Sequence, residues 1–244
     1  MSAANVYYAD LLAACEQPGC PLCFIEQRSV TRYLKTLYFE AVNDPEVRDH
    51  LRRERAFCID HAHLLLDSGL GDALGTAIIY HDILGDMLRG LQDLSAPAGG
   101  SLLNNLLRRP SGQLADQSNA ARRVFTHQHC RVCAHADEIQ QHAQKALVDA
   151  LTDEKFLAAL RKSDGICFPH LDALLARVYN PQGLANLLQI TGARLETLRA
   201  ELSEFIRKND YRFQHERMGA EGDSWKRALR LVAGEPNPEP KNPR

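Results

Sequence analysis

With 45% apolar and 25% charged side chains among 244 residues, the chain is long enough for one large domain or two small ones and has an ordinary soluble composition. A formal net charge of −2 excludes a general electrostatic attraction to nucleic acid or to an anionic membrane surface. The first ten residues carry no basic segment followed by an apolar run, and no stretch approaches the about eighteen apolar residues of a membrane span, so a cytoplasmic protein is expected.

In chain order, Val6, Tyr7, Leu11, Leu12 and Cys15 recur at near-helical spacing before Pro18-Gly19 breaks the run. A second helix from about Phe24 carries Val30, Tyr33, Leu34, Leu37, Tyr38 and Ala41 as one stripe and ends at Asn43-Asp44-Pro45. Asp44 is suited to cap, and Pro45 to open, a third helix that carries Val47 and Leu51 to about Arg55. Cys58 opens a fourth. Beyond Ser68-Gly69-Leu70-Gly71, residues 72–94 read as a long amphipathic helix with Leu74, Ile78, His81, Leu84, Leu88 and Leu91 on its apolar face and small residues Gly75, Ala77 and Gly85 for close contact.

Residues 95–119 collect Pro97, Gly99, Gly100, Pro110, Ser111 and Gly112 around a short apolar piece, 102–107, and read as a linker. The order then repeats: a helix from about Ala134 with Ile139, Ala143, Leu147 and Leu151, a turn capped by Asp153, a short helix with Phe156 and Leu160, and a helix from Cys167 to Val178. Asn180-Pro181 starts a long helix with Leu184, Leu187, Leu188, Leu195, Leu198, Leu202, Phe205 and Ile206 on its apolar face. Asp223 or Ser224 caps a last helix, with Trp225, Leu229 and Val232 inward and Gly234 with Pro236 ending it. The tail 235–244, with prolines at 236, 238, 240 and 243, is expected to be disordered. No run of alternating β-branched residues makes a strand, and the expected fold class is all-α.

The chemistry is concentrated in four short stretches. Gly19-Cys20-Pro21-Leu22-Cys23 is answered by Cys58-Ile59-Asp60-His61, and the same two half-sites recur as Cys130-Arg131-Val132-Cys133 and Cys167-Phe168-Pro169-His170. The offset is 110 from Cys20 to Cys130 and 109 from His61 to His170, so a single deletion brings the segments into register. Lys35 then meets Lys145, Leu37 meets Leu147, Asp44 meets Asp153, Leu51-Arg52 meets Leu160-Arg161, and Leu65 meets Leu174. This is an internal duplication, and the expected architecture is a helical bundle of two tandem metal-binding copies. The corresponding division is 1–95 for the first copy, 96–119 for the linker, 120–234 for the second copy with the C-terminal helices, and 235–244 for the tail.

A Cys pair two residues apart wraps one ion in a tight turn, and a Cys and His three apart share one face of a helix, so the two together supply a tetrahedron. Two zinc ions per chain are expected, one held by Cys20, Cys23, Cys58 and His61 and the other by Cys130, Cys133, Cys167 and His170. Closed sets of four leave no open position, which points to structural ions. The same ligands also suit an iron–sulfur cluster or a redox dithiol, although the βαβ unit of a dithiol protein is absent. Covalent haem needs His directly after the Cys pair, where Phe24 and Ala134 stand. The halves could also exchange elements and combine their ligands into mixed sites. Cys15, His127 and His129 are spare residues beside these motifs, more simply read as polar bystanders.

Away from these motifs, His81 reads as a buried, hydrogen-bonded imidazole and His63 as a surface residue. Arg207, Lys208, Asp210, Tyr211, Arg212, Glu216, Glu221, Asp223 and Trp225 form either an ion-pair network closing the bundle or a polar pocket for an anionic ligand or an acidic segment of a partner. There is no Gly-rich phosphate loop, Gly-x-Ser-x-Gly elbow or His-Glu-x-x-His motif to name a reaction.

From Gly19 to Gly234 the chain resembles an uncharacterised bacterial family, a domain of unknown function, through a set of short motifs. They are Gly19-Cys20-Pro21-Leu22-Cys23, Val42-Asn43-Asp44-Pro45, Phe57-Cys58-Ile59-Asp60-His61, Ser163-Asp164-Gly165-Ile166-Cys167, Lys208-Asn209-Asp210-Tyr211-Arg212-Phe213 and Asp223-Ser224-Trp225. One departure is Arg131, where the first copy has Pro21. The resemblance implies this architecture and gives the C-terminal motif weight as a site, while naming no substrate. The functional expectation is a zinc-binding adaptor or binding module, with a protein or small anionic ligand as partner. The alternatives are a redox protein on the same ligands and an enzyme at the C-terminal cluster.

Overall fold

The computed structural model describes residues 3–95, 110–126, 130–213 and 215–235. The described residues form eleven α-helices and no strand: α1 (Ala3–Cys15), α2 (Pro21–Thr36), α3 (Pro45–Glu54), α4 (Ile59–Ser68), α5 (Ala73–Ser95), α6 (Pro110–Phe125), α7 (Arg131–Ala150), α8 (Glu154–Lys162), α9 (Phe168–Leu175), α10 (Pro181–Lys208) and α11 (Ser224–Ala233). None is long and apolar enough to cross a membrane. The chain is all-α, as its patterning indicates.

Packing divides the chain differently from a boundary at 96–119. One compact unit is made of residues 3–31 and 135–235, the other of 32–134, and the division falls within α2 and α7. Part of the expected linker is helical, since Pro110 opens α6: a proline is as good a first helical residue as it is a breaker. Residues 96–109 and the tail beyond 235 lie outside the described residues.

In the first unit α1 and α8 pack together, α8 and α11 pack on α10, and α9 packs on α11, around a core in which Leu11, Leu22, Leu147, Leu151, Phe156, Leu174 and Leu187 are fully buried. Burying each such side chain contributes about 1.5–3 kcal/mol. In the second unit α5 packs on α3 and α6, and Leu34, Leu51, Ile79 and Ile83 are buried. The helix starts follow the capping residues. Asp44 accepts from the backbone N–H of Glu46 and Val47, Asp153 from that of Phe156, and Asn180 from those of Gln182 and Gly183.

Between Leu37 and Asp44 the chain has one residue more than between Leu147 and Asp153. Residues Leu37–Ala41 form a single π-helical turn continuing α2. A π turn is how a helix absorbs one inserted residue without losing register on either side, so Leu34, Leu37 and Tyr38 all remain buried.

Three helices turn inward a face that differs, wholly on α5 and α11 and in part on α10, from the one expected. On α5 the buried positions are Gly75, Ile79 and Ile83, while Leu74, Leu84, Leu88 and His81 are exposed. Two ion pairs fix this rotation: Arg48 holds Asp82, and Arg55 holds Asp86 at 2.7 Å. Gly75 sits on Tyr38, where a Cβ would stand 3.1 Å from the ring. On α10 Leu187 and Leu198 are buried as expected, joined by Ile190, while Leu184, Leu188, Leu195 and Ile206 are exposed. On α11 Ser224 and Leu231 face inward while Trp225, Leu229 and Val232 face out, because Arg227 is held by Glu201 and Asp223 at 2.6 and 2.7 Å.

Two outcomes check this account. Asp44→Ala removes a cap and is expected to cost about 1 kcal/mol in urea unfolding. Asp153→Ala is expected to lose more, since Asp153 also accepts from Tyr8 Oη at 2.7 Å. The second concerns Glu221, which is buried and whose carboxyl is pulled down to about 2 by the Gly219 backbone N–H and then by Lys208. A depressed carboxyl stabilises the fold above its unfolded value and loses that contribution as the pH falls. The stability difference between wild type and Glu221→Gln is therefore expected to be full above pH 4.5 and to shrink as the pH falls toward about 2.

Candidate metal centres

Each ligand is placed by a helix start. Cys58 is the N-cap of α4 and Cys167 the N-cap of α9, so the histidine three residues on lies within the first turn of the same helix. Cys20 immediately precedes α2 and Cys130 immediately precedes α7, with Cys23 and Cys133 in their first turns. Helix N-termini present unsatisfied backbone N–H groups and partial positive charge, which favours sulfur as thiolate.

The structure brings all eight ligands together as two sets of four: Cys20, Cys23, Cys167 and His170, and Cys58, His61, Cys130 and Cys133. The pairing within sequential copies is therefore corrected, and the mixed arrangement is the one adopted. Each set draws its Cys pair from one half of the chain and its Cys-x-x-His from the other. The first set lies in the unit of residues 3–31 and 135–235, the second in the unit 32–134. The reason lies in the packing. Gln140 on α7 donates to the Leu22 carbonyl of α2 at 3.0 Å, and Gly19 N–H to the Asp164 carboxylate, just before α9, at 2.8 Å, which tie the first Cys pair to the second half.

The donor atoms of each set lie within 4.8 Å of one another. A tetrahedral ion with bonds of about 2.3 Å to sulfur and 2.0–2.1 Å to nitrogen implies edges of about 3.8 Å between sulfurs and about 3.6 Å from sulfur to nitrogen. The Cys23–Cys167 and Cys58–Cys133 sulfurs are 3.7 and 3.6 Å apart. His170 Nδ1 lies 3.1, 3.4 and 3.6 Å from Cys167, Cys23 and Cys20, and His61 Nδ1 lies 3.1, 3.4 and 3.6 Å from Cys58, Cys133 and Cys130. These residues fit one metal ion in each set.

The protonation chemistry agrees. Hydrogen bonding with Cys20, then with Cys23, pulls the Cys167 thiol down to about 4, while hydrogen bonding with Cys167, then with Cys20, and burial push Cys23 far up. A bound dication favours the thiolate form in which cysteine serves as a ligand. Burial, then its two sulfur neighbours, raises Cys133, and burial lowers His61, keeping its imidazole in the neutral form a ligand needs.

Outside the sets, the second ring nitrogen of His170 faces Glu26, Nε2 to Oε2 3.9 Å, and Gln140 donates to that same Oε2 at 2.6 Å. A carboxylate behind a ligating imidazole orients it. Glu26 was not among the sequence candidates, although its place three residues after Cys23 on α2 was a usable signal. Cys15 is a core residue, with burial pushing its thiol up to about 12. His63 is exposed as expected, His81 is exposed rather than buried, and His127 and His129 lie outside the described residues.

At the C-terminal cluster the cations face carboxylates. Arg207 binds Glu204 and Glu216 and lies 4.6 Å over the Phe213 ring. Lys208 binds Glu221 at 2.6 Å and the Arg217 carbonyl at 3.0 Å, and Arg212 binds Asp210 at 2.7 Å. Asp223 pairs with Arg227 in place of capping α11, and Tyr211 and Trp225 are exposed. This geometry is that of a network closing the end of α10 onto the turn before α11.

The chain is 24% identical over 220 residues to an uncharacterized 23.9 kDa protein in the xynA 3' region of Caldicellulosiruptor sp. (strain Rt8B.4), a match covering 90% of this chain and 97% of that one. No solved structure matches. The model of the family of unknown function DUF6062 matches residues 9–239, a span that contains all eight Cys and His ligands, and the chain belongs to that family.

Proposed function

We propose that the chain binds two zinc ions as structural staples and acts by binding a partner, as a cytoplasmic adaptor built from two copies of one helical unit that have exchanged their ligand halves. The carrying observation is the spacing of the donor atoms: in both sets the sulfur–sulfur and sulfur–nitrogen distances approach the edges of a single-ion tetrahedron. In an iron–sulfur cluster the four protein ligands are spread over two or four irons, whereas here all four donors share one small volume, which supports a lone ion. Three sulfurs and one nitrogen suit zinc. Four protein ligands fill its coordination, so such an ion holds helices in place and activates no water. The matched caps Asp44 and Asp153, and the matched Cys58 and Cys167 at helix starts, support the duplication.

Elemental analysis of protein purified without chelator is expected to find two zinc ions per chain in a colourless sample. A metal-free protein, or one with visible absorption from iron, would overturn the reading. Cys58→Ala is expected to lower the content to one ion and to open residues 32–134 to hydrogen exchange while 3–31 and 135–235 stay protected, because structural zinc contributes its binding energy, about 10–16 kcal/mol in zinc-finger peptides, to folding.

A further inference from the structure

The two ligand sets share one inner geometry, down to the same three histidine–sulfur distances. Any difference in how they hold an ion comes from their surroundings, and three features favour the first set, against one that favours the second: His61 is buried, whereas His170 is only partly so. The first is cover. All three sulfurs of the first set, Cys20, Cys23 and Cys167, are buried, whereas in the second Cys130 is buried and Cys58 and Cys133 are only half-buried. The Glu235 backbone N–H donates to the Cys23 sulfur, and Gly234 passes so near that a Cβ there would stand 3.8 Å from Cys167 Sγ. Gly19 makes room for this segment, since a Cβ on it would fall 1.8 Å from a Glu235 carboxylate oxygen.

The second feature is support of the histidine. His170 is backed by Glu26, which Gln140 holds. At the offset of 110 that relates the Cys pairs, the residue matching Glu26 is Ala136, which has no carboxylate to offer His61. The third is backbone. Arg55 and Ala56, just before Cys58, have φ of 64° and 62°, a left-handed conformation unfavourable for residues with a Cβ. The residue matching Ala56 in the first set is Gly165, which adopts φ of 89° without that penalty.

We propose that Cys58, His61, Cys130 and Cys133 form an exchangeable metal site, whose ion leaves to a competing chelator and whose thiolates are then open to soft electrophiles, while Cys20, Cys23, Cys167 and His170 hold a permanent ion. This rests on the reading that each set binds one ion. A site of this kind makes the unit 32–134 responsive to metal supply and to thiol-reactive compounds, and leaves the other unit folded.

The experiment uses the full chain loaded with zinc, excess EDTA, and iodoacetamide, from which each freed thiolate displaces iodide to form a thioether. Zinc release is expected in two phases of one ion each, differing by about tenfold or more, the scale of effect of a supporting carboxylate. Mass spectrometry is expected to find Cys58, Cys130 and Cys133 alkylated during the fast phase and Cys20, Cys23 and Cys167 only during the slow one. Glu26→Ala is expected to speed the slow phase by about 10–100-fold and leave the fast one unchanged. Starting metal content separates the two claims. Fewer than two ions at the outset overturns the reading beneath both, whereas two ions leaving in a single phase, or earlier alkylation of Cys20, Cys23 and Cys167, overturns this inference alone.

Discussion

The convergence of helix N-termini on sulfur is the interaction on which the rest of this structure depends. The first set is met by the starts of α2 and α9, the second by those of α4 and α7, so each group of sulfurs lies at two positive helix ends. Four helix starts directed at thiols would be poorly used without a cation, since neighbouring thiolates repel and buried thiols resist ionisation. A dication resolves both conflicts at once. The caps, the π turn and the left-handed residues before Cys58 and Cys167 serve to bring these ends together.

Much of this was legible in the chain. The eight ligands, the caps Asp44, Asp153 and Asn180, and the helix starts at Pro45 and Pro181 follow from local rules, because a cap is decided within three residues of itself. The change of offset from 110 to 109 was also readable, and the π turn at Leu37–Ala41 is its structural form. What was not legible is long-range. The spacing within Cys20-x-x-Cys23 is the same whether its partner is Cys58 or Cys167, and the choice lies in contacts such as that of Gly19 with Asp164, 145 residues apart.

The rotation of α5, α10 and α11 escaped sequence reading for a related reason. Each carries more apolar residues than one face can bury, and on α5 and α11 ion pairs decide which stripe turns inward. On α11 the Arg227 contacts with Glu201 and Asp223 leave Trp225 and Leu229 outside, against simple amphipathic expectation. The C-terminal motif behaves likewise. Arg207, Lys208 and Arg212 face acidic partners supplied within a few turns, and their arrangement is first that of a clasp.

The crossed pairing of ligands is the central claim, and the metal content of two double variants tests it most directly. Cys20→Ser with Cys58→Ser takes one ligand from each crossed set, and Cys20→Ser with Cys167→Ser takes two from the same set. The crossed arrangement predicts that the first variant loses both ions and the second keeps one. The opposite result, one ion kept by the first and none by the second, would show that each half of the chain closes its own site and would contradict the account.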